Sequence, residues 1–332
     1  MPGRPHIIDL AVILTLIFLI STVNAEKLPI KTYTTTDGLA PDGINRIVRD
    51  SRGFLWFCTK EGLSRFNGYE FTTYSQGDGL PNRNVSHLLE TRDGVYWVAT
   101  GAGVCRFNPV SALTSPTSTS PQSKESAAAS EPRFVSYPLF ENGRSQNVNV
   151  MIEDRSGTIW CGAGSGLYKL EQTNGAWAFS FVEIGVRPVN FFDAAIHDLL
   201  EDSRGTLWIG AVAGLYRRSP DGRVEHCINQ NGVPYGSVGE LLEDKAGRLW
   251  AGGATALWRT IQGMEFGQPV VSQEYTAKDG LSSGFIAALQ QSSDGRLWVG
   301  TNRGLDEFIP ESEGGTQRFH NYSIGQGMAK DV

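Results

Sequence analysis

Along the chain, apolar residues come in short runs separated by glycine-bearing turns, with no long stretch at the 3.6-residue helical spacing. Six segments superpose without a gap over 23 positions: 44–66, 85–107, 148–170, 196–218, 238–260 and 286–308. Position 1 is Ile44, Val85, Val148, Ile196, Val238 and Ile286, and position 4 is Ile47, Leu88, Met151, Leu199, Leu241 and Leu289. Position 10 is always glycine (Gly53, Gly94, Gly157, Gly205, Gly247, Gly295) and position 13 always tryptophan (Trp56, Trp97, Trp160, Trp208, Trp250, Trp298). Position 19 is glycine except at Ala256.

In the first unit, Ile44–Asp50 predicts strand A and Asp50–Gly53 a tight turn whose glycine needs a positive φ. Phe54–Thr59 predicts strand B, Leu63–Phe66 strand C and Glu70–Tyr74 strand D. Strand A carries apolar residues on both parities (Ile44 and Val48, then Ile47), which suits a sheet covered on both faces. Successive tryptophans lie 41, 63, 48, 42 and 48 residues apart, the period of a β-propeller blade. The expected fold is therefore all-β, a propeller of four-stranded blades, with the tryptophan column filling the space between sheets.

The long step contains Ser111–Glu131, a Ser/Thr/Pro/Ala tract expected to be a disordered insertion between strands C and D of the second blade. Glu26–Gly38 has the texture of a strand D and exit loop without strands A to C, and Thr316–Gly327 has the same texture at the far end. The expectation is six complete blades plus the orphan outer strand of a seventh, an incomplete seven-bladed ring. The competing arrangement closes the six blades on themselves, with the N-terminal strand docked outside.

Residues 1–25 read as a secretory signal peptide: Arg4, the apolar run Leu10–Ile20, then the small-residue site Val23-Asn24-Ala25. The run is shorter than the ~20 residues of a spanning helix, although an uncleaved anchor is the other reading. Residues 26–332 then form an exported propeller domain. Twenty-nine basic against 35 acidic residues leave a net charge of −6, which offers no basic field for nucleic acid. The four cysteines (Cys58, Cys105, Cys161, Cys227) match no zinc or CxxC spacing and read as small buried hydrophobes.

No nucleophile elbow, zinc helix, phosphate loop or dinucleotide fingerprint is present, so no catalytic residue, metal or cofactor is expected. The repeated Asp-x-x-Gly (Asp50, Asp154, Asp202, Asp244) supplies one carboxylate per blade, which reads as turn-making rather than calcium binding. His87 and His197 stand at positions 3 and 2 of their strands and are expected on opposite strand faces. Binding is the better expectation. The D–A and B–C loops share one propeller face and bring to it Asn45, Arg46, Arg83, Asn84, Asn149, Phe192, His197, Tyr235, Phe285 and Arg303. Aromatic faces with Asn and Arg donors suit a small polar or saccharide ligand.

The columns I-x-x-I-x-x-D-x-x-G-x-L-W-x-G-T-x-x-G-L-x-R-F, with Asp-Gly-Leu before several copies (Asp37–Leu39, Asp78–Leu80, Asp279–Leu281), resemble the two-component regulator propeller repeat. The resemblance spans roughly residues 30–330. It implies a seven-bladed propeller serving as the exported sensor half of a membrane histidine kinase, often a hybrid kinase, with output domains downstream. Some such sensors respond to saccharide breakdown products, and others belong to diguanylate cyclase receptors. The implied partners are an unidentified small-molecule or saccharide ligand and a second receptor copy. Membrane contact would come only through C-terminal parts beyond Val332 or an uncleaved signal. Ala256 for Gly, Glu307 for Arg and the insertion in blade two depart from the pattern at turns and edges. A free secreted propeller, either a lyase or a glycan-binding protein, is the alternative.

Deleting Ser111–Glu131 is expected to leave the melting temperature nearly unchanged, because loop length enters closure entropy only logarithmically. A calorimetric scan showing a drop of more than several degrees would mean that the tract is packed.

Overall fold

The computed structural model describes residues 31–41, 43–109, 132–141, 144–185, 194–228, 236–310 and 318–322. The expected signal peptide and the whole 111–131 tract lie outside these residues. The tract's flanks, strand C at Gly103–Phe107 and strand D at Phe134–Tyr137, do belong to blade 2 as expected.

Six antiparallel sheets form, each of four strands in the order A-B-C-D. The innermost strands A are Ile44–Arg49, Val85–Glu90, Val148–Glu153, Ile196–Glu201, Val238–Glu243 and Ile286–Gln291. Each packs against strand A of the next blade, from the first to the sixth. A short hairpin, Phe140–Glu141 with Arg144–Ser145, joins blades 2 and 3. Among the described residues there is no α-helix, only single 3-10 turns.

Five apolar clusters lie between consecutive blades, and each contains one tryptophan of the column: Trp56, Trp97, Trp160, Trp208 and Trp250. All four cysteines are free and buried within the same clusters. Burial pushes the Cys58 and Cys227 thiols up to about 12, so they behave as apolar filler.

The Asp-x-x-Gly aspartate fixes the tryptophan in four of the six blades. In blade 4, Asp202 Oδ2 accepts the Trp208 indole N–H at 2.8 Å, while Oδ1 accepts the backbone N–H of Arg204 and Thr206 at 2.9 Å. The same indole-to-carboxylate bond joins Trp56 to Asp50, Trp160 to Asp154 and Trp250 to Asp244. The carboxylate is thus a turn former and an indole acceptor together. The turn closes on the position-10 glycine, which in blade 4 has φ 83°.

Beside this turn a second device links blades. The backbone N–H at position 8 donates to the side chain at position 6 of the next blade: Ser51 to Glu90, Arg92 to Glu153, Arg155 to Glu201, Ser203 to Glu243 and Lys245 to Gln291. All five interfaces between consecutive blades carry it. Where position 8 is serine, its hydroxyl adds a second bond to the same carboxylate, as Ser203 does to Glu243 at 2.6 Å. Where it is arginine or lysine, the side chain reaches carbonyls of the neighbouring turn.

The two outer faces of this row are uncovered. Ile47 is 53% exposed, whereas its counterparts Leu88, Met151, Leu199 and Leu241 are buried. Trp298 is only half-buried, unlike the other five tryptophans.

The N-terminal segment departs from expectation in part. No strand forms over the described residues 31–34, because an outer strand needs a strand C to pair with and none is present for it among the described residues. Its exit loop does form. Thr35–Asp37 makes a 3-10 turn with a capping box and Gly38 at φ 95°, as Gln76–Asp78 and Ala277–Asp279 do. Tyr33 packs edge-on against Phe66 and Phe71 at 5.0 and 5.6 Å. Tyr275 meets Phe308 and Phe319 of blade 6 in the same way, at 5.4 and 5.7 Å. The N-terminal loop therefore docks on blade 1 as each strand D exit docks on its successor. At the far end, Phe319–Tyr322 forms the expected strand D of blade 6, and residues 323–332 lie outside the description.

Replacing Trp208 by Ala is expected to cost about 3–5 kcal/mol through the cavity left between blades. Asp202→Ala should cost about 2–3 kcal/mol by orphaning the indole and two turn amides. The double variant should lose less than the sum of the two, since both remove one shared bond; full additivity in denaturant titrations would deny the coupling. For Asp50, Asp154 and Asp244, burial raises the carboxyl, but the indole and backbone donors outweigh it and hold each below its ordinary value. Their stabilisation is present above about pH 4 and is lost as pH falls through the depressed values. Acid melts should show this loss, and it should shrink when the three are replaced by Asn.

Candidate functional site

Every strand A carries a bulge between positions 1 and 3, so the residue at position 2 has no partner in the ladder. This frees the position-2 side chain from the sheet and turns it to the central channel. The column reads Asn45, Ser86, Asn149, His197, Gly239 and Ala287. The B–C loops join the same mouth, since Gly101, Gly164 and Val212 donate to the D–A loop carbonyls of Asn84, Asn147 and Ala195.

A polar cavity of about 220 Å³ opens there, lined by Asn45, Arg46, Asn84, Ser86, Asn149, His197 and Glu240. Five of the ten residues expected from sequence therefore converge on one pocket: Asn45, Arg46, Asn84, Asn149 and His197. The size suits a single small polar molecule, below the ~300–1,000 Å³ of drug-sized sites.

Arg46 dominates the electrostatics. From blade 1 it crosses the channel to blade 4, where both terminal nitrogens lie 3.0 Å from Asp198 Oδ1, and its Nη2 stands 3.5 Å from Glu240 Oε2 of blade 5. Asp198 is buried and also accepts the Leu241 backbone N–H through Oδ2. One guanidinium thus faces two carboxyl groups. Burial, and next the Asp198 charge, push the Glu240 carboxyl up to about 8 against the pull of Arg46. Burial lowers the His197 imidazole below its ordinary value and so favours the neutral ring, an effect the Asp198 charge partly offsets.

The amides are less free than the sequence suggested. Asn45 donates to the carbonyl of Val85 at 2.7 Å and to Asn84 Oδ1 at 3.1 Å. Asn149 donates to the carbonyl of Ile196 at 2.8 Å, and Ser86 to that of Val148. Position 2 of one blade thus stitches to position 1 of the next; Asn84 Oδ1 and Asn149 Oδ1 each already accept one bond, from Asn45 and Asn147, which leaves Asn45 Oδ1, His197 and Glu240 most open to a ligand.

The other expected residues are elsewhere. Arg83 is exposed and paired with Glu61 at 2.8 Å, outside the pocket. Phe285 is an exposed loop residue and Arg303 an exposed turn residue; neither lines the cavity. Phe192 and Tyr235 lie outside the described residues. Sequence reasoning missed Ser86 and Glu240. Ser86 stands in the position-2 column beside Asn45 and Asn149, a signal that was available, while Glu240 shares position 3 with Arg46 and Asp198. His87, also at position 3, is separated from His197 as expected: it lines a second cavity of about 520 Å³ towards the A–B turns. Burial and the Arg46 charge hold it well below its ordinary value, and among the described residues its Nδ1 has no hydrogen-bond partner. A larger cleft of about 740 Å³ between blades 5 and 6 holds charges already paired, Arg248 with Asp244 and Arg296 with Glu307.

Residues 79–102, 190–212 and 280–303 match the family described as two component regulator propeller. No curated protein matches the sequence. Among solved structures, the chain is similar to the extracellular domain assigned to the hybrid two component system BT3049 of B. thetaiotaomicron, at 19% identity and TM-score 0.67. That match covers 87% of this chain and 35% of that one, so the chain spans about a third of its length. The surface component PorZ of the Porphyromonas gingivalis type-IX secretion system matches at 12% identity and TM-score 0.60, over 90% of this chain and 43% of that one. Virginiamycin B lyase of Staphylococcus aureus matches at 14% identity and TM-score 0.57, over 84% and 83%. These likenesses establish a shared propeller fold.

Glu240→Gln is expected to flatten the pH dependence of stability. A carboxyl raised in the fold stabilises fully below its unfolded value near 4.3, and this is lost as pH rises through about 8. The variant should melt like the parent at pH 5 and above it at pH 8.5; parallel melting curves across that range would refute the assignment.

Proposed function

We propose that this chain, which carries two-component regulator propeller repeats, is the exported ligand-sensing propeller of a signal-transducing receptor and performs no chemistry of its own. The observation that carries the reading is the convergence of neutral amide oxygens, a neutral imidazole and a half-paired carboxyl on one channel-mouth cavity, in a chain of this repeat type. Such groups hydrogen-bond a small polyhydroxylated molecule, and a saccharide fragment is the ligand class they suit. A bound ligand would signal through unequal affinity for two arrangements, most simply of paired receptor copies. A histidine kinase output and a periplasmic location belong to the same proposal. Among the described residues no helix is long and apolar enough to cross a membrane.

We further infer that the six blades are part of a seven-bladed ring whose outer strand is supplied by the N-terminal segment. The uncovered Ile47 and Trp298 faces support this, as does Tyr33, seated where a preceding blade's strand D would end.

A panel of mono- and oligosaccharides screened by thermal shift, followed by calorimetry, tests the sensing function. At least one sugar should bind, and His197→Ala should weaken it about tenfold while the unliganded melting temperature stays unchanged. Turnover of a panel compound would favour the lyase alternative, and binding untouched by His197→Ala would remove the channel mouth as the site.

A further inference from the structure

The bond from position 8 to position 6 has a fixed direction: a blade donates and its successor accepts. Acceptors stand ready in blades 2 to 6 as Glu90, Glu153, Glu201, Glu243 and Gln291, but position 6 of blade 1 is Arg49. The arginine occupies the place of the carboxylates. Its Nη2 lies 3.7 Å from where a Cβ on Gly53 would sit, and the carboxylate oxygens of Glu153, Glu201 and Glu243 lie 3.8–4.0 Å from the corresponding points on Gly157, Gly205 and Gly247. Among the described residues no hydrogen bond or ion pair engages Arg49. At the other end, the Ser293 backbone N–H, position 8 of blade 6, meets no acceptor among the described residues.

Closing blade 6 directly onto blade 1 would set the Ser293 N–H against the Arg49 guanidinium, donor against donor, with only the neutral Ser293 hydroxyl at position 8 to accept from the arginine and no carboxylate to balance its charge. The gap thus selects its occupant by charge as well as by its apolar walls. Resting on the seven-bladed reading above, we propose that the occupant is one further repeat whose position-8 side chain is a carboxylate paired with Arg49. The closing interface then carries the reverse polarity of the other five. The same repeat offers an acceptor at position 6 to Ser293, and its position-13 tryptophan stacks on Tyr33, as Trp250 stacks on Tyr275 at 5.9 Å. A basic residue at its position 8, as at Arg92, Arg155 and Lys245, is excluded by repulsion from Arg49. Arg49 thereby marks blade 1 as the first of the row and disfavours closure one blade early.

The test extends the full chain after Val332 by a copy of its own residues 286–308, with the copied position 8 made either Asp or Lys. Both versions are compared in the Arg49 parent and in Arg49→Glu. With Arg49, the Asp version should melt about 2–4 °C above the Lys version, and with Arg49→Glu the order should invert. Equal melting of the Asp and Lys versions, or an order indifferent to residue 49, would overturn the charge pairing while a stabilising extension kept the seven-bladed reading. If neither extension raised the melting temperature, the reading and the pairing would fall together.

Discussion

The fold depends on the indole ring at position 13 and, in four of the six blades, on the carboxylate that holds it. A tryptophan between two sheets contributes a large apolar area, but its N–H must find an acceptor once water is excluded. The aspartate six residues earlier supplies that acceptor and caps its own turn amides with the other oxygen, as Asp202 does for Trp208. Turn, strand spacing and interblade packing are therefore one interaction seen at three scales. In blades 2 and 6, where Thr91 and Ser292 replace the aspartate, the hydroxyl donates to the carbonyl of Val95 or Arg296 instead, and the turn still closes on Gly94 and Gly295.

Interfaces built this way are directional. The amide at position 8 donates forward, in blades 1 to 3 the side chain at position 2 donates forward, and the tryptophan packs forward onto the next blade. A row assembled from such contacts has two different ends. One end shows Ile47 and Arg49, the other Trp298 and the Ser293 N–H, and neither end repeats the chemistry of an interior interface. The stability of the interior blades rests on neighbours on both sides, that of the end blades on one.

The channel-mouth site depends on the same geometry. Only a bulge in every inner strand lets position 2 leave the sheet, and only the curvature of the row brings Arg46 of blade 1 within reach of Asp198 and Glu240. That cross-channel ion pair is a contact between residues 152 positions apart in the chain. It ties an end blade to the middle of the row and opposes the burial that pushes up the Glu240 carboxyl, so the pocket's charge state and the placement of blade 1 are linked.

By itself the sequence determined the blades, because their period, turns and core are local: the glycine, aspartate and tryptophan columns each act within 23 residues and declare strand, turn and buried face together. It also determined the polar character of the channel mouth, through Asn45, Arg46, Asn84, Asn149 and His197. Only the tertiary structure decided which polar groups remain available there. The amides of Asn45 and Asn149 are engaged by carbonyls of the next blade, Arg83 is drawn away by Glu61, and Glu240 enters from a strand whose position 3 carries no uniform residue type. The reason is physical. A repeat encodes contacts between successive blades, which recur in every copy, whereas a contact across the channel joins blades that are not successive and leaves no periodic trace.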